Sequence, residues 1–265
     1  MIIDFHTHIF PDRVAEKAIP QMEKNADIKA HHNGTLSGLL ESMNYANIDY
    51  SVVLPVVTAP RQFESVNKFA YEVNNLDRII SFGGIHPDTE NYKKEIDTIK
   101  NYGLKGIKLH PEYQSTYIND DKYLRIMDYA TELGLIITVH AGFDGAYPQE
   151  KHCTPKRIAE ALRYVSPDKL VLAHMGSLYM WDEVEEYIVG KNVFLDTAFS
   201  IGEIEDEQLL RMVRNHGADK VLFSTDSPWK NQKEAVSHIS KIPFTEEELD
   251  KILYKNAIDL LGGDI

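Results

Sequence analysis

Eight short apolar runs, each followed by an amphipathic stretch, set the possibilities for this chain before any single residue is weighed. They are Ile2–His8, Tyr50–Val57, Ile79–Ile85, Leu104–Leu109, Leu135–Val139, Lys169–Ala173, Val193–Thr197 and Val221–Thr225. A short run rich in Val and Ile, bounded by turn residues, reads as a strand buried on both faces. Such strands belong to parallel sheets whose crossover helices cover both sides. The stretches between them read as helices: Thr35–Ala46, Phe63–Asn75, Tyr92–Asn101, Lys122–Leu133, Pro155–Tyr164, Met180–Val189, Asp206–Asn215 and Lys233–Ser240. A last helix, Thr245–Leu261, opens with Thr245 and Glu248 at capping-box spacing and stops at Gly262-Gly263.

Eight βα units in 265 residues predict one domain over residues 1–265, closed as a (β/α)8 TIM barrel. No Gly-x-Gly-x-x-Gly follows any run, which counts against an open dinucleotide-binding sheet. The connection Pro11–Gly34 is long for a βα loop, and its Val14–Met22 portion is helix-compatible. It is expected to be a partly helical loop over the barrel mouth.

Barrels of this kind build their sites at the carboxyl ends of the strands. Here those ends are rich in histidine. The first strand ends His6-Thr7-His8, and alternation points both imidazoles the same way. The third ends at His86, the fourth at Lys108-Leu109-His110, the fifth at His140, the sixth at His174 and the eighth at Asp226. His6, His8, His140, His174 and Asp226 are metal-compatible groups sharing one position in the repeat, and their convergence would grip an ion.

Composition narrows the partners. The chain is 43% hydrophobic and 26% charged, with a formal net charge of −13. Phosphate backbones and anionic bilayers repel such a chain, so a small-molecule substrate is expected, with no nucleic acid and no membrane. Cys153 is the one cysteine, which excludes an internal disulfide and points to a reducing, cytoplasmic setting. The first residues lack the basic and apolar regions of a signal peptide.

With His6-Thr7-His8, Gly-Ile-Lys-Leu-His-Pro at 106–111, Val-His-Ala-Gly at 139–142, Ala-His-Met-Gly at 173–176 and Thr-Asp-Ser-Pro-Trp at 225–229, the sequence resembles the amidohydrolase superfamily. The likeness runs nearly end to end. It is closest to the amidohydrolase-related branch of metal-dependent hydrolases and decarboxylases. The resemblance implies a divalent metal, most often zinc, held by His6, His8, His140 and Asp226. His174 would lie just outside the shell or bridge to a second ion. One ion is the expectation and a second is possible, because Lys108 and His110 stand where two-metal members usually carry a carboxylated lysine or a glutamate. Homodimers are common in the branch.

A divalent ion among imidazoles lowers the pKa of bound water from about 15.7 toward roughly 7. Asp226 is the candidate general base, and His174 a catalytic group polarising the scissile carbonyl. His110 and Lys108 are candidates to hold a substrate carboxylate or carbonyl, with Lys108 alternatively paired to Asp4 or another carboxylate. Asp196 is expected to face the pocket or pair with a histidine. Arg61 and Cys153 are lesser candidates. Tyr113, Phe143, Tyr147, Tyr179, Trp181 and Trp229 are candidates for an apolar wall. The reaction expected is hydrolysis of an amide, ester or lactone. Non-oxidative decarboxylation of an unsaturated or aromatic acid is the alternative on the same scaffold, and a non-catalytic metal-binding barrel the alternative from another class.

Overall fold

The computed structural model describes residues 1–263. Its strands are β1 (Ile3–Thr7), β2 (Tyr50–Val53), β3 (Ile79–Ser81), β4 (Gly83–Gly84), β5 (Gly106–Leu109), β6 (Ile136–Val139), β7 (Leu170–Leu172), β8 (Phe194–Asp196) and β9 (Val221–Leu222). Every ladder is parallel, in the orders β1-β2-β3 and β4 through β9. β3 and β4 are two pieces of the expected third strand, interrupted at Phe82, whose amide still donates to Val53 O at 2.9 Å. The Phe82 ring meets Phe5 edge-on at 5.8 Å.

Closure comes from the end of the eighth strand. Phe5 N donates to Phe223 O, Asp226 N to His6 O and His8 N to Ser227 O, at 2.9, 2.9 and 2.7 Å. These bonds set residues 223–227 beside β1 and complete the (β/α)8 barrel. They also carry Asp226 to the two histidines of the opening strand.

Helices α1 (Asp12–Ala26), α2 (Leu36–Ala46), α3 (Phe63–Asn74), α4 (Tyr92–Asn101) and α5 (Asp121–Glu132) precede β6. After it come α6 (Pro155–Ala161), α7 (Trp181–Tyr187), α8 (Asp206–His216), α9 (Gln232–Ile239), α10 (Glu246–Asp250) and α11 (Asn256–Leu261). Their starts follow from side chains that satisfy the first free amides. Thr35 accepts from Gly38 N, Thr154 from Arg157 N and Asn231 from Glu234 N. Their inner faces follow the helical period, as with Tyr123, Ile126, Met127 and Ala130 of α5, all buried.

Three departures from the expected boundaries have local causes. α6 stops at Ala161 because Arg163 N and Tyr164 N bond three residues back, tightening the chain into turns. α7 spans Trp181–Tyr187 rather than Met180–Val189, ending where Val189 N turns back to Val184 O. The last helix is split into α10 and α11 by a π-helical stretch, Lys251–Lys255. There Ile252 O accepts from Phe223 N at 2.8 Å, so the wide turn serves the last strand.

The loop over the mouth is the expected one, helical over Asp12–Ala26. Ala15 and Ile19 of α1 pack with Trp229 in a small apolar cluster of their own, joined by Met22 and Ile28. No helix among the described residues is long and apolar enough to cross a membrane.

Candidate metal centre

His6 and His8 leave β1 on the same side, and their Nε2 atoms lie 3.1 Å apart. Asp226 Oδ1 lies 3.4 Å from His6 Nε2 and 3.1 Å from His8 Nε2. The tautomers follow from what stands behind each ring. His8 Nδ1 is 2.8 Å from the Leu54 carbonyl oxygen, which only accepts, so Nδ1 holds the proton and Nε2 presents a lone pair. His6 Nδ1 faces Asp196 Oδ2 at 2.9 Å with the same consequence. Two imidazole lone pairs and a carboxylate oxygen therefore point at one another. Such acceptors repel unless a cation lies among them, and this donor set fits a divalent ion.

The electrostatics agree. Burial holds His6 well below the usual imidazole range, with the Lys108 ammonium adding to the effect, so the ring is neutral as a ligand must be. Burial raises the Asp226 carboxyl, and positive charge at the His6 and His8 positions outweighs it, so Asp226 is ionised whenever a cation, proton or metal, lies among the three. Lys108 Nζ lies 3.0 Å from His6 Nε2. Burial lowers Lys108 to about 8, with Asp196 and Asp226 opposing the shift. The sequence offered Asp4 or another carboxylate as its partner, and the carboxylates acting on it are Asp196 and Asp226 rather than Asp4. Asp4 instead accepts from Thr225 N, Thr225 Oγ1 and Gln232 Nε2.

His140 and His174 are linked to each other. His174 Nδ1 donates to Ala198 O at 2.9 Å, leaving its Nε2 as acceptor, and His140 Nδ1 lies 2.9 Å from that atom. His140 Nδ1 is then the donor, and His140 Nε2 carries a buried lone pair with no hydrogen-bond partner. The structure thus brings His6, His8 and Asp226 into one group, while His140 groups with His110 and Glu112, of which the two histidines line the same cavity. His110 stacks on His140 at 4.1 Å and 10°.

Backbone strain marks two of these residues. His174 and Asp226 hold φ of 62° and 70°, a left-handed conformation that non-glycine residues rarely take. His174 is pinned there by its amide bond to Asp196 Oδ1, and Asp226 by its amide bond to His6 O. Asp196, buried on β8, therefore fixes the His6 ring and the His174 backbone at once. A Cβ on Gly142, at φ 92°, would meet Leu178 N at 2.2 Å, so only glycine lets the β6 end pass that close.

The cavity above the histidines has a volume of about 240 Å³. Its walls include Met22 and Ile28 from the α1 loop, with Tyr113, Phe143, Phe199 and Trp229 from strand-end loops. Tyr179 also lines it. Tyr147 instead stands edge-on against Tyr113, and Trp181 donates to His174 O, supporting the wall from behind. Arg61 sits exposed on a 3-10 turn, Cys153 is buried, and His86 is held by Asp88.

Two carboxylates escaped the sequence reading. Glu112 is fully buried, accepting from His152 N and Cys153 N, and burial pushes its carboxyl up to about 8. Asp144 Oδ2 lies 3.7 Å from His110 Nε2 and 3.9 Å from His140 Nε2. Their signal was spacing: each follows a strand-end histidine by two or four residues.

The fold is shared with solved structures of low sequence identity. An uncharacterized TIM-barrel protein from Bordetella bronchiseptica superposes with a TM-score of 0.75 at 17% identity, covering 99% of this chain and 98% of that one. The 2,6-dihydroxybenzoate decarboxylase from Rhizobium gives 0.72 at 18%, covering 98% of each chain. The 5-carboxyvanillate decarboxylase from Novosphingobium aromaticivorans, complexed with manganese, gives 0.74 at 13%, covering 98% and 96%. No curated protein matches the chain. The amidohydrolase family model matches residues 3–263, nearly the whole length, and the chain belongs to the amidohydrolase family.

Proposed function

We propose that this protein is a metal-dependent hydrolase that opens an amide, ester or lactone bond of a small molecule at the barrel mouth. One observation carries the reading: His6 Nε2, His8 Nε2 and Asp226 Oδ1 converge with their lone pairs inward. A divalent ion held by these three would supply Lewis acidity toward a substrate oxygen and acidify a water. Zinc is the expected ion, although the same donors suit manganese.

The chain's own groups supply the rest. Asp226, ionised at neutral pH, takes the proton of the attacking water and returns it to the leaving group. Lys108 is the donor nearest the centre and stabilises the negative charge that develops on the carbonyl oxygen. The Nδ1 proton of His174 is committed to Ala198 O, so His174 acts by fixing the His140 ring. His110 faces the substrate from the opposite wall. The apolar side chains over the mouth exclude water and accept a small, largely apolar body.

Decarboxylation is the second reading, and Lys108 favours it. It is the one lysine lining the cavity among the described residues, and no arginine joins it, so it would hold a substrate carboxylate. The two decarboxylases of similar fold act on carboxylated rings, as their names state. Purified protein loaded with zinc or manganese, assayed on esters, lactones, amides and aromatic or enoic acids, separates the readings. Hydrolysis products without carbon dioxide, lost in Asp226→Asn, support the first. Carbon dioxide release from an acid overturns it in favour of the second.

A further inference from the structure

We propose that Asp144 sets the specificity of the cavity, its unbonded carboxylate oxygen accepting a hydrogen bond from an amino or hydroxyl group of the substrate. The substrate is then a small ester, amide or lactone that carries such a donor, and no carboxylate, on that side. The inference rests on the proposed function and deepens it, since it names the substrate class of the same site.

The loop after β6 secures one oxygen of this carboxylate and presents the other. Asp144 Oδ1 accepts from Ala146 N at 2.8 Å, and the Asp144 carbonyl accepts from Tyr147 N at 3.0 Å, so residues 144–147 close into a turn that fixes the side chain. The turn is pressed against α1, where a Cβ on Gly145 would meet Ala26 O at 3.0 Å. Oδ2 belongs to the cavity lining and has no hydrogen bond among the described residues. His110 Nε2 and His140 Nε2 lie 3.7 and 3.9 Å from it, beyond hydrogen-bond reach. His140 Nε2 carries a lone pair and donates nothing, with or without an ion on it.

A side chain only 11% exposed ordinarily has its polar atoms bonded. Water serves Oδ2 while the cavity is open. Once a substrate fills the space, the substrate has to supply the donor or leave the acceptor stranded. Histidines aside, the other charged groups lining the cavity are Lys108 and Asp226, and both are engaged with the opening strand's histidines. Much of the remaining wall is apolar, including Met22, Ile28, Phe143, Phe199 and Trp229. Asp144 is therefore the charged group left to read the body of the substrate, and it repels a carboxylate placed there.

The test uses a probe that anchors on the ion. Zinc-loaded protein is titrated calorimetrically with benzohydroxamic acid, whose hydroxamate chelates zinc, and with its ortho, meta and para amino and carboxy derivatives. At least one amino derivative is expected to bind the wild type about tenfold or more tightly than the parent, as a hydrogen bond to a charged group gives. The carboxy derivatives are expected to bind more weakly than the parent. Asp144→Asn keeps the contact to Ala146 N through its carbonyl and turns an amide N–H toward the cavity, so the amino advantage is lost and the carboxy derivatives gain on the parent. Asp144→Ala is expected to lose the amino advantage as well, and gives the same reading where the asparagine variant does not fold. Zinc per chain is measured alongside, and a residue that merely shaped the loop would move all the affinities together. Binding of the parent with no favoured amino derivative, or an advantage that survives both substitutions, overturns the inference and leaves the proposed function standing. Failure of benzohydroxamic acid to bind the zinc-loaded wild type removes the metal from the proposed function, and this inference falls with it.

Discussion

Asp196 shows how one side chain organises several others. Its Oδ2 orients His6, and its Oδ1 accepts from the amides of His174 and Ala198. Carboxylates behind ligating histidines raise ligand basicity and fix the tautomer, and losing one typically costs about 10- to 100-fold in metal affinity. Asp196→Asn is therefore expected to weaken zinc binding by about that factor, measured by competition with a chromophoric chelator. Unchanged affinity would mean that His6 needs no such support. His32 makes a second prediction at this scale. Burial, assisted by neighbouring His31, lowers it from 6.5 to about 4, and its Nδ1 accepts from Gly34 N while Nε2 meets Ser227 Oγ. The folded state then binds fewer protons than the unfolded state between those values. This contribution is complete above pH 6.5 and is lost as pH falls toward 4. Urea unfolding against pH should show a slope over that window that is reduced in His32→Gln. The residues legible from sequence were those whose position in the repeat fixed their direction: His6, His8, His140, His174 and Asp226. Glu112 and Asp144 lie beyond the strand ends, where alternation no longer says which way a side chain points. The Asp4 pairing failed for a related reason. The β1 register against β2 shifts between Asp4 and Thr7, and Asp4 meets Thr225 across the barrel seam instead.

Elements were readable where local chemistry decides them. The capping box at Thr245 is present in full: Thr245 N donates to Glu248 Oε2 at 2.7 Å, and Glu248 N donates to Thr245 Oγ1 at 3.1 Å. Thr245→Ala should lower stability by about 1 kcal/mol in denaturant unfolding without changing metal content. The Gly262 stop is equally local, a left-handed residue whose amide returns to Ile258 O and Asp259 O. The π-helical stretch and the break at Phe82 were not readable. Both answer to partners far away in the chain, Phe223 for the one and Val53 with Phe5 for the other. The long first loop could be read as partly helical from its pattern. Its docking on Trp229 could not, because that contact joins two loops more than two hundred residues apart.

At the scale of the molecule, the barrel follows from counting βα units, because eight parallel strands buried on both faces close where fewer would leave edges. Closure then creates the centre. The seam bonds that set residues 223–227 beside β1 place Asp226 within 3.4 Å of histidines at the other end of the chain. No local segment contains the site, so it exists only in the folded barrel. Stripping the metal should therefore leave the barrel folded but lower its unfolding midpoint, by an amount set by ion concentration over Kd. The most direct measurement is anomalous diffraction at the metal edge from crystals of zinc-loaded protein. The account predicts a peak about 2.0–2.2 Å from His6 Nε2, His8 Nε2 and an Asp226 carboxylate oxygen together. A fully loaded crystal with no peak at that position would contradict it.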